Sequence, residues 1–153
     1  MQQNLKAATF EVMETMFFLF PETVEEVADF FHGPGIRAWV PINGPLLFRV
    51  GLTVPLKMAQ EMTANFLGED PENITSDKVM DAFKEAANML AGSFLVREQA
   101  PGSIHLLPPE AEFLNLDDCR FRPNTHRLLF AVDDYGLEVF VEKLRQETNS
   151  PST

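Results

Sequence analysis

The longest periodic segment of the chain runs from Ser76 to Glu98, where Val79, Phe83, Ala86, Leu90 and Phe94 recur at helical spacing. At about 100° per residue these side chains fall on one side of a helix, and Asp81, Glu85, Asn88 and Gly92 fall on the opposite side. A helix of this length with one apolar side must lay that side on another layer of structure. Ser76 reads as its N-cap, and Asp77 in the first turn suits the positive end of the helix dipole.

The rest of the chain indicates what that layer is. Residues 4 to 20 read as a first helix, with Met13, Met16, Phe17 and Phe20 on one side and Glu11 and Thr15 on the other, stopped by Pro21. Residues 21 to 31 form a loop or a short helical turn, and His32-Gly33-Pro34-Gly35 is a turn signal. Two strand-like runs, Ile36 to Ile42 and Leu46 to Val54, flank Asn43-Gly44-Pro45 and read as a hairpin. Pro55 suits the start of a helix whose stripe of Leu56, Ala59, Met62 and Phe66 ends at Gly68. Beyond Pro101-Gly102 come short β-like runs at 104 to 107, 119 to 122, 128 to 132 and 137 to 141, the last after the turn Asp133-Asp134-Tyr135-Gly136. This order does not alternate as a parallel βα protein would. It predicts an α+β fold with long helices packed on one face of a mainly antiparallel β-sheet. A helix followed by a strand pair occurs twice, from Leu5 and from Val79, which hints at an internal repeat.

A length of 153 residues and a 45% hydrophobic content suit a single domain, expected over 1 to 145, with a polar C-terminal tail from 146 to 153 that is expected to fray. The net charge of −11 argues against nucleic acid and against an anionic membrane surface, both of which need concentrated Lys and Arg. The apolar run from Met16 to Phe20 is too short to span a bilayer, so no membrane anchor or secretion signal is expected. A lone cysteine, Cys119, makes neither an intrachain disulfide nor a cysteine-based zinc site, and a reducing, cytoplasmic setting is the expectation. His32, His105 and His126 have no spacing that would gather them, so no metal site is expected in the chain. Glu11 and Glu14 could form an acidic site, but they also fit a solvated helix face.

The chemistry is expected from the polar stripe of the long helix. By spacing alone, Glu85-x-x-Asn88 describes an ordinary solvated face. Yet Asn is a poor residue for a helix interior, and Gly at 92 costs about 1 kcal/mol relative to Ala. Neither is a favourable choice for a face that only meets water. Gly92 also removes a side chain beside Asn88, leaving room for another surface to approach.

With Asp81, Glu85, Asn88 and Gly92 set in Ala-Asn-Met-Leu-Ala-Gly, the chain resembles the CheC/CheX/FliY family of chemotaxis phosphatases, whose signature is an acidic or Ser residue, three residues, Glu, two residues and Asn. Thr15-Met16 in the first helix resembles the CheX branch. The likeness in element order extends over residues 4 to 145, and its specific part is 79 to 94. Pro108 and Pro109 fall slightly short of the position expected for the family's proline, and Glu14 stands where a second active copy would carry Asn. The resemblance therefore implies one working site, as in CheX. It implies hydrolysis of the phosphoaspartate of a CheY-like receiver domain, with Glu85 and Asn88 catalytic and Asp81 and Gly92 meeting the substrate. Mg²⁺ would be supplied by the receiver, and a homodimer is implied as well. The alternative is a scaffold of the same fold that engages a receiver or a flagellar or signalling partner without hydrolysis. A fold relative with an unrelated ligand is the third possibility.

Overall fold

The structure, a computed structural model, describes residues 1–25, 31–118 and 124–144. Three helices, α1 (Gln2–Phe17), α2 (Leu56–Leu67) and α3 (Ser76–Arg97), pack with seven strands: β1 (Glu22–Val24), β2 (Pro34–Asn43), β3 (Phe48–Pro55), β4 (His105–Leu106), β5 (Glu110–Asn115), β6 (Thr125–Val132) and β7 (Tyr135–Lys143). All the pairings are antiparallel, in the order β1-β6-β7-β3-β2, with β4 and β5 sharing the outer edge of β2. The central pair is β3 and β7, each flanked by its own hairpin partner, β2 or β6. The strand that precedes each hairpin pairs across the halves: β1 lies on β6, and β5 lies on β2. The helix-and-strand-pair repeat seen in the sequence thus maps onto two interlocked halves of one sheet.

Strand alternation explains why the sheet has a dry side. Ile36, Ala38, Val40 and Ile42 of β2, Val50, Leu52 and Val54 of β3, and Leu137, Val139 and Val141 of β7 lie two residues apart and join the helices in one hydrophobic core. The intervening residues turn to the other face. There Glu138 is 3% exposed, and its carboxylate accepts from Thr53 Oγ1 at 2.9 Å and from Arg127 Nε, while Thr53 Oγ1 accepts from Arg37 Nε at 3.2 Å. Gly51 lies in this layer because a Cβ there would stand 2.3 Å from the Ala38 carbonyl oxygen and 2.7 Å from the Phe140 ring.

Helices α1 and α3 run antiparallel. Asn4 donates to Glu98 at one end, Arg97 pairs with Glu11 at 2.8 Å, and Phe17 stacks on Phe83 at the other end with ring centroids 6.2 Å apart. Both shorter helices end on a left-handed residue. At α2 it is Gly68, with φ 66°, the residue type for which this conformation carries no steric cost. At α1 it is Phe18, with φ 59° and ψ 37°, where Cβ crowds the backbone at a cost of about 1 kcal/mol or more.

Several expectations are corrected. The first helix stops at Phe17, short of the expected position 20, because Phe18 reverses the chain; Phe20 is then 72% exposed and outside the core. Phe66 also leaves the expected stripe, at 40% exposed. Residues 22–24 are a strand, where a loop or helical turn was expected. The cap of the long helix is Thr75, whose hydroxyl accepts from the Lys78 N–H, and Ser76 is the first helical residue. Strand β5 was not expected: Glu110, Glu112 and Phe113 are exposed on this edge strand, so it carries no buried alternation to read. The expected strand at 119 to 122, Cys119 and the tail from 146 lie outside the described residues.

Candidate active site

Helix α3 is held at both ends. At its start the Thr75 hydroxyl caps it, Asp77 lies in the first turn, and Lys78 Nζ reaches Glu69 Oε1 at 2.7 Å. At its end the Glu98 N–H donates to the Phe94 carbonyl at 2.9 Å. Val79, Phe83, Ala86, Leu90 and Phe94 are all buried, and Ala82, Ala87 and Ala91 widen the buried face with small side chains that let the helix approach its neighbours closely. A helix so anchored presents its outer side as a rigid ridge.

That ridge carries the sequence-predicted residues together. Asp81, Glu85 and Asn88 are exposed and Gly92 is half-buried, spaced four, three and four residues apart, so successive Cβ positions are about 5 to 6 Å from one another. Among the described residues, neither the Asn88 carboxamide nor the Glu85 and Asp81 carboxylates have a hydrogen-bonding partner within the chain. A Cβ added at Gly92 would meet nothing within 4 Å. The arrangement offers one neutral donor-acceptor and two carboxylates to an incoming surface, with an open notch beyond Asn88.

The facing part of α1 is different. Glu11 accepts from Arg97 Nη2 at 2.8 Å and from Ser93 Oγ at 3.4 Å, so its carboxylate is engaged in holding α1 to α3. Glu14 is exposed without a partner among the described residues. The histidines are not brought together: His32 precedes β2, His105 is in β4 and His126 is in β6, all exposed. Among the described residues no three His, Cys, Asp or Glu groups are placed to hold a metal ion, and no helix is long and apolar enough to cross a membrane.

Sequence reasoning missed the exposed apolar side chains: Met89, next to Asn88 in α3, is 43% exposed, and Phe18 and Phe20 beyond the end of α1 are more so. Helical spacing had assigned Phe20 to the core; only the left-handed turn at Phe18 takes it out. A cavity of about 510 Å³ lies on the buried side of the α3 C-terminal end, between Phe94, Leu95, Phe48, Ile104 and Val141, and none of the ridge residues lines it.

The profile of a family described as chemotaxis phosphatase CheX matches residues 36–113, just over half of the 153 residues and inclusive of the whole ridge. No curated protein sequence matches the chain significantly. Among solved structures, the chain is similar to a chemotaxis protein CheX from Desulfovibrio desulfuricans, with a TM-score of 0.71 and 17% identity over 93% of this chain and 97% of that one. It is similar to the CheX-CheY-BeF3-Mg+2 complex from Borrelia burgdorferi, at 0.69 and 18% over 94% and 97%. It is also similar to FliY from Thermotoga maritima, at 0.60 and 18% over 91% and 84%. At these identities the structural likeness establishes the fold, which is the α+β arrangement expected from the sequence.

Proposed function

The chain belongs to the CheX family of chemotaxis phosphatases, and on that premise we propose that it hydrolyses the phosphoaspartate of a response-regulator receiver domain through Glu85 and Asn88 of α3. The observation that carries the proposal is the ridge itself. Both side chains are exposed on one face and unpartnered among the described residues, in front of the buried Phe83, Leu90 and Phe94. The Borrelia burgdorferi structure pairs a CheX with a CheY in the presence of BeF3 and Mg²⁺, which supports the class of partner.

An aspartyl phosphate on a receiver sits beside that receiver's own Mg²⁺ and Lys, so the element still needed is a positioned water. In the proposal the Asn88 carboxamide enters the receiver site and holds a water in line, accepting from it or donating to it without serving as a base. The water oxygen bonds to phosphorus as the P–O bond to the aspartyl carboxylate breaks, releasing inorganic phosphate. Glu85 pairs with the receiver's Lys, Asp81 extends the acidic face, and Gly92 leaves the space in which the receiver closes on Asn88. Mg²⁺ enters with the substrate, and this chain supplies neither a metal nor a covalent nucleophile. The same proposal carries a cytoplasmic homodimer, which light scattering would check. Retention of both Glu85 and Asn88 favours the enzyme over a scaffold of the same fold.

The test is phosphate release from a panel of phosphorylated receivers. Asn88→Ala should bind the receiver nearly as the wild type does and slow release roughly 100-fold, about 2.7 kcal/mol of transition-state stabilisation. Full turnover by Asn88→Ala would remove the residue from the mechanism, and binding without turnover by the wild type would leave the scaffold.

A further inference from the structure

The exposed side of α3 changes character along its length. At about 100° per residue, Asp81, Glu85, Asn88, Met89, Gly92 and Val96 fall within an arc of about 100°, opposite the buried Val79, Phe83, Leu90 and Phe94. The N-terminal part of that arc is acidic, with Asp81 and Glu85 exposed. Beyond Asn88 the arc carries no charge: Met89 is 43% exposed, Gly92 bears no side chain, and Val96 is 78% exposed. The one charged residue of α3 after Asn88 is Arg97, which turns toward α1 and pairs with Glu11 at 2.8 Å. Asn88 therefore stands at the junction of an acidic and an apolar half.

Fold stability does not account for the apolar half. A β-branched Val suits a helix less well than Ala, and at position 96 it gains little burial in exchange. Position along the helix decides what lies over it. A standard protein-protein interface covers about 800 Å² per partner, a patch roughly 30 Å across. Val96 is only about 12 Å beyond Asn88 along the helix axis. A folded receiver that admits Asn88 to its phosphoaspartate pocket thus also faces Met89 and Val96, which lie on the same side of the same anchored helix. We infer that Met89 and Val96, astride Gly92, are the apolar half of the receiver-docking surface, seated on apolar side chains that border the receiver's phosphoaspartate pocket. They fix the register of α3 on the receiver and so position Asn88, while Gly92 between them lets the two surfaces close. The inference rests on the receiver-phosphatase proposal and adds to it two positioning residues and an apolar requirement on the substrate.

The test uses a receiver domain that the wild-type chain dephosphorylates, loaded with beryllofluoride and Mg²⁺. It is titrated against wild type, the double variant Met89→Ala with Val96→Ala, and the conservative pair Met89→Leu with Val96→Ile, with melting curves alongside. The double alanine variant should melt at or above the wild-type temperature, because Ala is the better helix former, yet bind roughly tenfold more weakly or worse. That loss should be the same at low and high salt, because apolar contact is not screened, whereas the loss in Glu85→Ala shrinks. In turnover its KM should rise while kcat at saturation is kept. The conservative pair should bind within about twofold of wild type. Equal binding by wild type and the double alanine variant would overturn the inference and leave the phosphatase proposal intact. So would a lowered melting temperature, which would assign the two side chains to the fold, or a weakened self-association with unchanged receiver binding, which would assign them to a second copy of the chain. A wild-type chain that neither binds nor dephosphorylates any receiver would overturn the phosphatase proposal, and the role of Met89 and Val96 with it.

Discussion

Replacing Gly92 by Ala should make the protein more stable. A Cβ at this position meets nothing within 4 Å, so the substitution introduces no clash, and the residue lies inside α3, five residues before the helix ends at Arg97. The remaining effect is helix propensity, which favours Ala over Gly by about 0.8 to 1.0 kcal/mol. Unfolding entropy near 60 °C is about 2.1 cal/mol/K per residue, which over 153 residues is roughly 0.3 kcal/mol/K, so the melting temperature should rise by about 3 °C. Scanning calorimetry or thermal circular dichroism measures this directly. The stability gain isolates the cost of keeping glycine on the ridge. Gly92→Gln should keep most of that gain, because Gln is also a good helix former, while its side chain fills the notch beside Asn88 and lowers receiver dephosphorylation by tenfold or more through weaker binding. A neutral or destabilising Gly92→Ala would refute the reasoning, since it would mean that glycine serves internal packing. A fully active Gly92→Gln would show that no surface closes over this part of the helix.

Glu85→Ala should weaken receiver binding by an amount that shrinks as salt is raised, because it removes one partner of a proposed intermolecular ion pair; titrations at low and high ionic strength check this, and a salt-independent loss would contradict it. Glu138→Ala should destabilise the fold by about 3 kcal/mol in denaturant unfolding, because the carboxylate is 3% exposed and its loss strips Arg127 and Thr53 of a partner at the back of the sheet. The single tyrosine, Tyr135, should titrate above its ordinary value near 10, pushed up by burial and by the neighbouring Glu61 carboxylate. Because its proton is held more tightly in the folded chain than in the unfolded one, the associated stability is intact below pH 10 and is lost as pH rises from there through the folded pKa. Ultraviolet absorbance of the phenolate reads the titration, and Tyr135→Phe should flatten that part of the stability profile.

What could be read along the chain was whatever depends on local periodicity. Helix α3 and its two faces follow from side-chain spacing, because a helix of 22 residues averages out a single unfavourable choice such as Asn88 or Gly92. The β2-β3 and β6-β7 hairpins follow from alternating apolar residues around turn signals, and the resulting order of elements implied helices on one face of an antiparallel sheet. The candidate ridge was legible for the same reason: Asp81, Glu85, Asn88 and Gly92 lie on one element and need no folding to be brought together. Other features were decided only in three dimensions. Strand β5 is defined by pairing with β2, its own side chains being largely exposed, and β1 is defined by pairing with β6; edge strands draw their identity from a neighbour's unpaired backbone and carry no internal pattern. The pairing of Glu11 with Arg97, which gives that carboxylate a structural partner, spans 86 residues of sequence. The exposure of Phe18 and Phe20 follows from one left-handed residue, Phe18 itself, which ends α1 and turns the chain away from a core to which helical spacing alone would have assigned Phe20. Composition sets how much apolar surface a chain has, and the spacing within each element sets which side it lies on. Which of those surfaces is left uncovered depends on how the elements end and meet, and that is a property of the tertiary structure.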